Sequence, residues 1–262
     1  MKKASPKIVF IGAGNLATHL SQALQKAGFE IVQVYSRTEE SSKTLAEKLN
    51  TNYTSDIKAL LKTADIYFVA LKDSAVNEVL SQTDLDNKLL VHTSGSLLLS
   101  ALNHYSKNYG VLYPLQTFSK SIYVEFREIP VFIEASSPGI ENELIQIAKT
   151  ISGKVSCLNS EKRKSLHIAA VFACNFVNYF YTLAAGYLGK NKISFDVLHP
   201  LIKETAKKAT EMPPVDAQTG PAVRFDENVI NDHLESLKNY PELKELYNSI
   251  SRRIFELHQS KG

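Results

Sequence analysis

The strongest constraint in this chain is a glycine turn. Residues Lys7-Ile8-Val9-Phe10-Ile11 form an almost unbroken apolar run that stops at Gly12-Ala13-Gly14. Beyond it Leu16, Leu20 and Leu24 recur every four residues, which predicts an amphipathic helix closing near Gly28. Gly12-Ala13-Gly14-Asn15-Leu16-Ala17 therefore fits G-x-G-x-x-A between a strand and a helix. The first glycine permits a tight turn, and the second lets an anion approach the backbone. The small Ala17 lets helix and strand pack, and the anion meets the helix N-terminus. The backbone from Gly12 to Leu16 is thus the expected cradle for a dinucleotide pyrophosphate.

The pattern continues in the same rhythm. Ile31–Tyr35 reads as a second strand, and 38–49 as a helix with Thr38 at its N-cap and Glu39-Glu40 in its first turn. Further strand runs fall at 66–71, 89–91, 110–113, 130–134 and 154–158, with a helix at 140–151. Strands alternating with helices predict a doubly wound, mostly parallel α/β sheet. After Ser160, a possible N-cap, strand signals vanish. A long uncharged helix follows, then helical patterns around 195–211, 227–239 and 242–258, punctuated by Pro200, Pro213-Pro214 and Pro241. The predicted division is 1–159 for the sheet domain and 160–262 for an all-helical domain.

Composition limits the partners. Thirty basic against twenty-seven acidic residues leave a net charge of +3, too little for a surface committed to nucleic acid or anionic membrane. Lys162-Arg163-Lys164 and Arg252-Arg253 read as solvated helix faces. Cys157 and Cys174 have no metal-ligand spacing and are expected to be two buried thiols of a reduced, cytoplasmic protein. Met1-Lys2-Lys3 leads into no long apolar stretch and does not read as a signal peptide. From Ser165 to Gly189 there is no charged residue, long enough for a membrane span. His167, Asn175 and Asn178 within it favour instead a helix buried in a bundle or in a dimer interface.

The end of the second strand bears on the cofactor. An NAD site usually has an acid there to meet the ribose 2′-hydroxyl. Ser36-Arg37-Thr38 offers two hydroxyls and a guanidinium instead, which suits the 2′-phosphate of NADP, and Arg37 could stack on adenine. Leu71-Lys72 ends the strand run at 66–71, beside the expected cofactor ribose and phosphates. Ser94, within Thr93-Ser94-Gly95-Ser96, lies at the expected depth of the nicotinamide; a capped turn before Leu97 is the other reading of that segment.

Along nearly its whole length the chain resembles a group of NADP-oxidoreductase-like proteins. In these a Rossmann domain precedes a helical C-terminal domain of unknown function. They are distant relatives of pyrroline-5-carboxylate reductase and of the deazaflavin-dependent NADP oxidoreductases. The matching segments are the Gly12 loop, His92–Ser96, Tyr113-Pro114-Leu115-Gln116-Thr117-Phe118, His167–Asn175, and Thr219–Asp226. Two positions depart from the group: Tyr113 stands where it usually has His, and Phe225 where it usually has Gly. The second departure implies a different local turn, because Phe resists positive φ.

The resemblance implies that polar residues on the first long helix after the Rossmann domain face the nicotinamide. That makes Asn175 a candidate for orienting substrate. His167, eight residues earlier and within about 80° of it on an ideal helix, is a candidate proton carrier. Arg224 is a candidate for a substrate carboxylate, with pairing to Asp226 as its alternative; Asp226 itself reads as an N-cap. The expected activity is hydride transfer between NADP(H) and a small carbonyl, imine or alcohol, in a homodimer joined through the helical domain. A non-catalytic NADP-binding sensor is the rival. No metal site, hydrolase elbow or Walker loop is found.

Overall fold

The computed structural model describes residues 5–260, so the Met1-Lys2-Lys3 reading lies outside them. Eight strands form one sheet: β1 (Lys7–Ile11), β2 (Glu30–Tyr35), β3 (Asn52–Thr54), β4 (Ile66–Val69), β5 (Leu89–His92), β6 (Asn108–Pro114), β7 (Pro130–Ala135) and β8 (Lys154–Cys157). Their order is β3-β2-β1-β4-β5-β6-β7-β8, parallel except for the antiparallel pair β6 and β7. This is the Rossmann-like, mostly parallel architecture expected, and all elements after Cys157 are helical.

Strand alternation sorts the core. Ile8 and Phe10 of β1 enter one layer, where Phe10 stacks on Phe68 with ring centroids 5.2 Å apart. Val9 and Ile11 enter the opposite layer with Tyr67 and Val69. Because both faces are covered, β1 reads as a continuous apolar run and not as an alternating one. Helix α1 (Asn15–Lys26) buries Ala17, Leu20 and Leu24, and Gly28 (φ +95°) turns the chain into β2. Helix α2 (Glu39–Leu49) follows β2, α3 (Val76–Leu80) follows β4, and α4 (Pro138–Ile151) crosses from β7 to β8. Strand β3 escaped the sequence reading because its three residues, Asn-Tyr-Thr, are half-buried or exposed and have no apolar signature.

Helix α5 (Ser160–Ala170) continues through a π-helical stretch, Val171–Phe176, into α6 (Val177–Lys190). The two compact units of the chain meet inside this run, between Cys174 and Asn175. The second unit holds α6, α7 (His199–Glu211), α8 (Pro221–Arg224), α9 (Glu227–Ser236) and α10 (Pro241–Gln259).

Several expectations are corrected. Ser160 does not cap α5; Asn159 does, its side chain accepting from the Lys162 N–H at 3.0 Å. The bundle alternative for the apolar run is not met within the chain: the apolar window of Ser160–Lys190, mean hydropathy 1.5, is long and apolar enough to cross a membrane yet has no residue buried by the described residues. Its apolar side chains include exposed ones, such as Phe172 and Tyr179. Both cysteines are exposed as well. Cys157 ends the edge strand β8, and Cys174 lies on the uncovered π stretch. Arg163, read as part of a solvated face, is only 1% exposed, because a carboxylate waits for it beneath the helix.

Candidate active site

The sheet order reverses direction between β1 and β4, the switch point where open α/β sheets bind ligands. Ile11 pairs with Val69, Val69 with His92 and His92 with Val111, so the loops after β1, β4 and β5 leave the same edge.

The two glycines of the first loop do different work. Gly12 sits at φ +122°, its N–H donating to the Tyr35 carbonyl at 2.8 Å. A Cβ there would stand 2.2 Å from the Ala70 carbonyl oxygen, so glycine is sterically required. Gly14 occupies the N-cap of α1 at φ −76°, and a Cβ on it would meet no protein atom within 4 Å. No side chain caps α1 and its first turn holds no acid, which leaves its N–H groups and partial positive charge for an anion. A pyrophosphate fits this cradle. The Asn15 side chain is engaged elsewhere: its Nδ2 donates to the Phe118 carbonyl at 2.9 Å. Of the loop's other members, Ala13 is buried, whereas Leu16 packs half-buried against the core.

At the end of β2, Ser36 is half-buried and Arg37 exposed, and Arg37 enters no ion pair among the described residues. Burial raises the Tyr35 phenol, and the Arg37 guanidinium partly opposes this. Thr38 stands at the N-cap of α2, its hydroxyl donating to Ser41 Oγ at 2.8 Å. After β4, Leu71 is half-buried and Lys72 exposed.

At the end of β5 the Ser94 hydroxyl accepts from the N–H groups of Ser96 and Leu97, both at 3.0 Å. The segment is thus a capped turn, with its serine oxygen engaged. The Ser94 N–H donates to Nδ1 of His92 at 3.2 Å. His92 is 1% exposed; burial, aided by the nearby Arg163 charge and partly countered by the Leu98 backbone, lowers its pKa to about 3. It is a neutral core imidazole at physiological pH.

Against this turn lies α5. A Cβ on Gly95 would fall 2.6 Å from Nδ1 of His167, so the glycine makes room for that ring. Nδ1 is hydrogen-bonded to the Tyr113 hydroxyl at 2.9 Å, and the rings meet edge to face. One turn earlier on α5, Arg163 pairs with Glu134 of β7 and donates to the Leu97 carbonyl at 2.6 Å. Glu134 also accepts from the Ser160 N–H and hydroxyl. The ion pair thereby ties helix, sheet and turn together.

Thus Ser94 and His167 are brought into one cluster, joined by three residues not chosen from sequence: Gly95, Tyr113 and Arg163. Tyr113 was visible only as a departure from a pattern. Glu134, a charge inside an apolar strand, was the signal that something buried would pair with it. Asn175 and Arg224 belong to the second unit. Asn175 is exposed within the π stretch, whose wider turn invalidates the 100°-per-residue estimate of its angle to His167. Arg224 is exposed at the end of α8, and Asp226 N-caps α9 through the Val229 N–H at 3.4 Å, as expected of it. Phe225 overturns the expected altered turn: it adopts φ +52° itself, its ring 4.9 Å from that of Phe255. The second unit also bears an open apolar pocket of about 640 Å³ lined by Phe180, Leu183, Tyr187, Leu246, Ile250 and Ile254 among others.

Known proteins share this arrangement. Residues 7–96 match a family described as NADP oxidoreductase, coenzyme F420-dependent, and residues 129–254 match the domain of unknown function DUF2520. A crystal structure of a candidate NADP oxidoreductase from Bacteroides fragilis is 51% identical, covering 96% of this chain and 98% of that one, with a TM-score of 0.92. The chain belongs to this NADP oxidoreductase family. The oxidoreductase is also 32% identical over 97 residues to pyrroline-5-carboxylate reductase of Staphylococcus epidermidis. That match covers 34% of this chain and 36% of the reductase, about a third of its length. An imine reductase from Myxococcus stipitatus, solved with NADP+, shares the fold at 18% identity and a TM-score of 0.65, covering 97% of this chain and 93% of that one.

Proposed function

We propose that this oxidoreductase binds NADP(H) on the Gly12–Ala17 turn and interconverts a small imine or carbonyl compound with its reduced form. The observation that carries the reading is the contrast between Gly12, sealed against Ala70, and Gly14, open above an uncapped helix at the switch point. Ser36, Arg37 and Thr38 would hold the 2′-phosphate, with the exposed Arg37 supplying the charge, while Leu71 and Lys72 flank the ribose and phosphates. The bound nicotinamide supplies or accepts the hydride; the chain's own part is orientation and proton handling.

In this reading His167 carries the proton, Asn175 orients substrate and Arg224 takes a substrate carboxylate. The uncovered apolar face of the Ser160–Lys190 run is closed by a second copy of the chain in a cytoplasmic homodimer. NADPH and NADH titrations followed by nicotinamide fluorescence test the core of the proposal. NADPH should bind more tightly, and Arg37→Gln should remove most of that preference. Equal affinity for the two cofactors would defeat the Ser36-Arg37-Thr38 assignment. NADPH binding without turnover across an imine and carbonyl panel would favour a sensor.

A further inference from the structure

Tyr113 is 6% exposed at the end of β6, whereas His167 is only half-buried, so the ring has an inner and an outer edge. Its inner nitrogen, Nδ1, is held by the Tyr113 hydroxyl at 2.9 Å, and Gly95 admits the ring with no space to spare. The outer nitrogen, Nε2, has no partner among the described residues. We infer that Tyr113 and His167 act as one proton-exchanging unit, with His167 Nε2 as the exchanging atom and Tyr113 as its positioning residue. This inference rests on the oxidoreductase reading above.

The chemical reason lies in the hydroxyl. A carboxylate can only accept and would favour the imidazolium; an ammonium can only donate and would oppose it. The phenol oxygen accepts from Nδ1–H of imidazolium and goes on accepting from it after Nε2 has lost its proton, so the neutral ring keeps Nδ1–H and has a lone pair on Nε2. The ring therefore keeps its place in both charge states. In reduction the substrate carbon gains a hydride and its C=N or C=O π bond opens. The π electrons go to the heteroatom, which takes the proton from imidazolium Nε2–H and leaves neutral imidazole. Oxidation runs the same transfers backwards.

The titratable and charged groups on the surrounding elements are Tyr109 and Tyr113 on β6, His92 at the end of β5, Glu134 on β7, and Glu161, Lys162, Arg163 and Lys164 on α5 itself. Glu134 is engaged by Arg163, and His92 stays neutral, so neither competes for the proton. Burial raises the Tyr113 phenol, with Arg163 partly opposing, which keeps the hydroxyl protonated near neutral pH.

Long-range ¹H–¹⁵N NMR of the full chain, with His167 assigned through His167→Gln, reads the tautomer directly. In the wild type at high pH, neutral His167 should carry its proton on Nδ1, whereas Tyr113→Phe should show a mixture of tautomers. Gly95→Ala, which pushes on the ring, should disturb the same signals should Tyr113→Phe fold poorly. In turnover assays His167→Gln should lower kcat about 100-fold and remove the pH dependence set by the imidazole. Tyr113→Phe should lower kcat about tenfold with KM for NADPH unchanged. An unchanged tautomer in both Tyr113→Phe and Gly95→Ala would overturn the inference, as would an unchanged pH profile in His167→Gln. Failure of the wild type to bind NADPH or transfer hydride would instead overturn the reading beneath it, and the inference with it.

Discussion

Arg163 and Glu134 form an ion pair beneath α5, the arginine 1% and the glutamate 17% exposed. The guanidinium also reaches the Leu97 carbonyl and the Ser160 hydroxyl, at 2.6 and 3.2 Å. Removing one partner strands a charge the interior cannot solvate. Glu134→Gln and Arg163→Met should each cost about 3 kcal/mol in urea unfolding. In the double mutant no stranded charge remains, so the cycle should show coupling of about 2 kcal/mol. Additive losses would mean that the pair does not bind helix to sheet.

The two loop glycines should fail in different ways. Gly12→Ala should not give a stable fold, since its Cβ would overlap the Ala70 carbonyl at a φ of +122°. Gly14→Ala should unfold within about 0.5 kcal/mol of the wild type. Its affinity for NADPH should nonetheless drop by at least about tenfold, or about 1.4 kcal/mol. Loss of stability without loss of affinity in Gly14→Ala would remove the phosphate site from this loop.

His92 sets an acid limit on stability. Its folded-state pKa of about 3 lies below the ordinary value of 6.5, so between these the unfolded chain binds the extra proton. Stability contributed by the neutral ring is present at neutral pH and is lost as pH falls from about 6.5 towards about 3. The slope approaches roughly 1.4 kcal/mol per pH unit. His92→Asn keeps an acceptor for the Ser94 N–H but does not titrate, so urea midpoints from pH 7 to 4 should fall less steeply than in the wild type. Parallel curves would place the acid sensitivity elsewhere.

Phe225 holds a left-handed conformation that costs a Cβ-bearing residue about 1 kcal/mol. Phe225→Ala loses the contact with Phe255 and keeps that cost; Phe225→Gly loses the contact and escapes it. By urea unfolding the glycine variant should be the more stable of the two by about 1 kcal/mol, less the extra chain entropy of glycine. The reverse order would show that the turn relaxes once the ring is gone.

Local signals were the legible ones. Ile8 to Ile11 announced a strand covered on both faces, and Gly12 announced its turn, because each depends on neighbours a few residues away. Arg163 was misread between Lys162 and Lys164 because its burial is decided by Glu134, 29 residues earlier. Phe225 was misread because propensity states a preference, and packing on Phe255 overrides it. The angle between His167 and Asn175 failed for a third reason: a π stretch alters helical phase without leaving a compositional trace. Tyr113 was visible only as a departure from the usual His until the fold set it against a histidine 54 residues away.

Two hydrogen bonds near the first turn of α1 bear on the order of folding. Asn15 donates to the Phe118 carbonyl, and Nε2 of His19 meets the Ser119 carbonyl at 2.8 Å. These partners are 103 and 100 residues apart in the chain. Closing loops of that length has an entropic cost that must be met before the contacts reward it. During synthesis β1, α1 and β2 emerge long before Phe118 exists. The early strands can pair, but the side chains of Asn15 and His19 must wait for most of the sheet to be made.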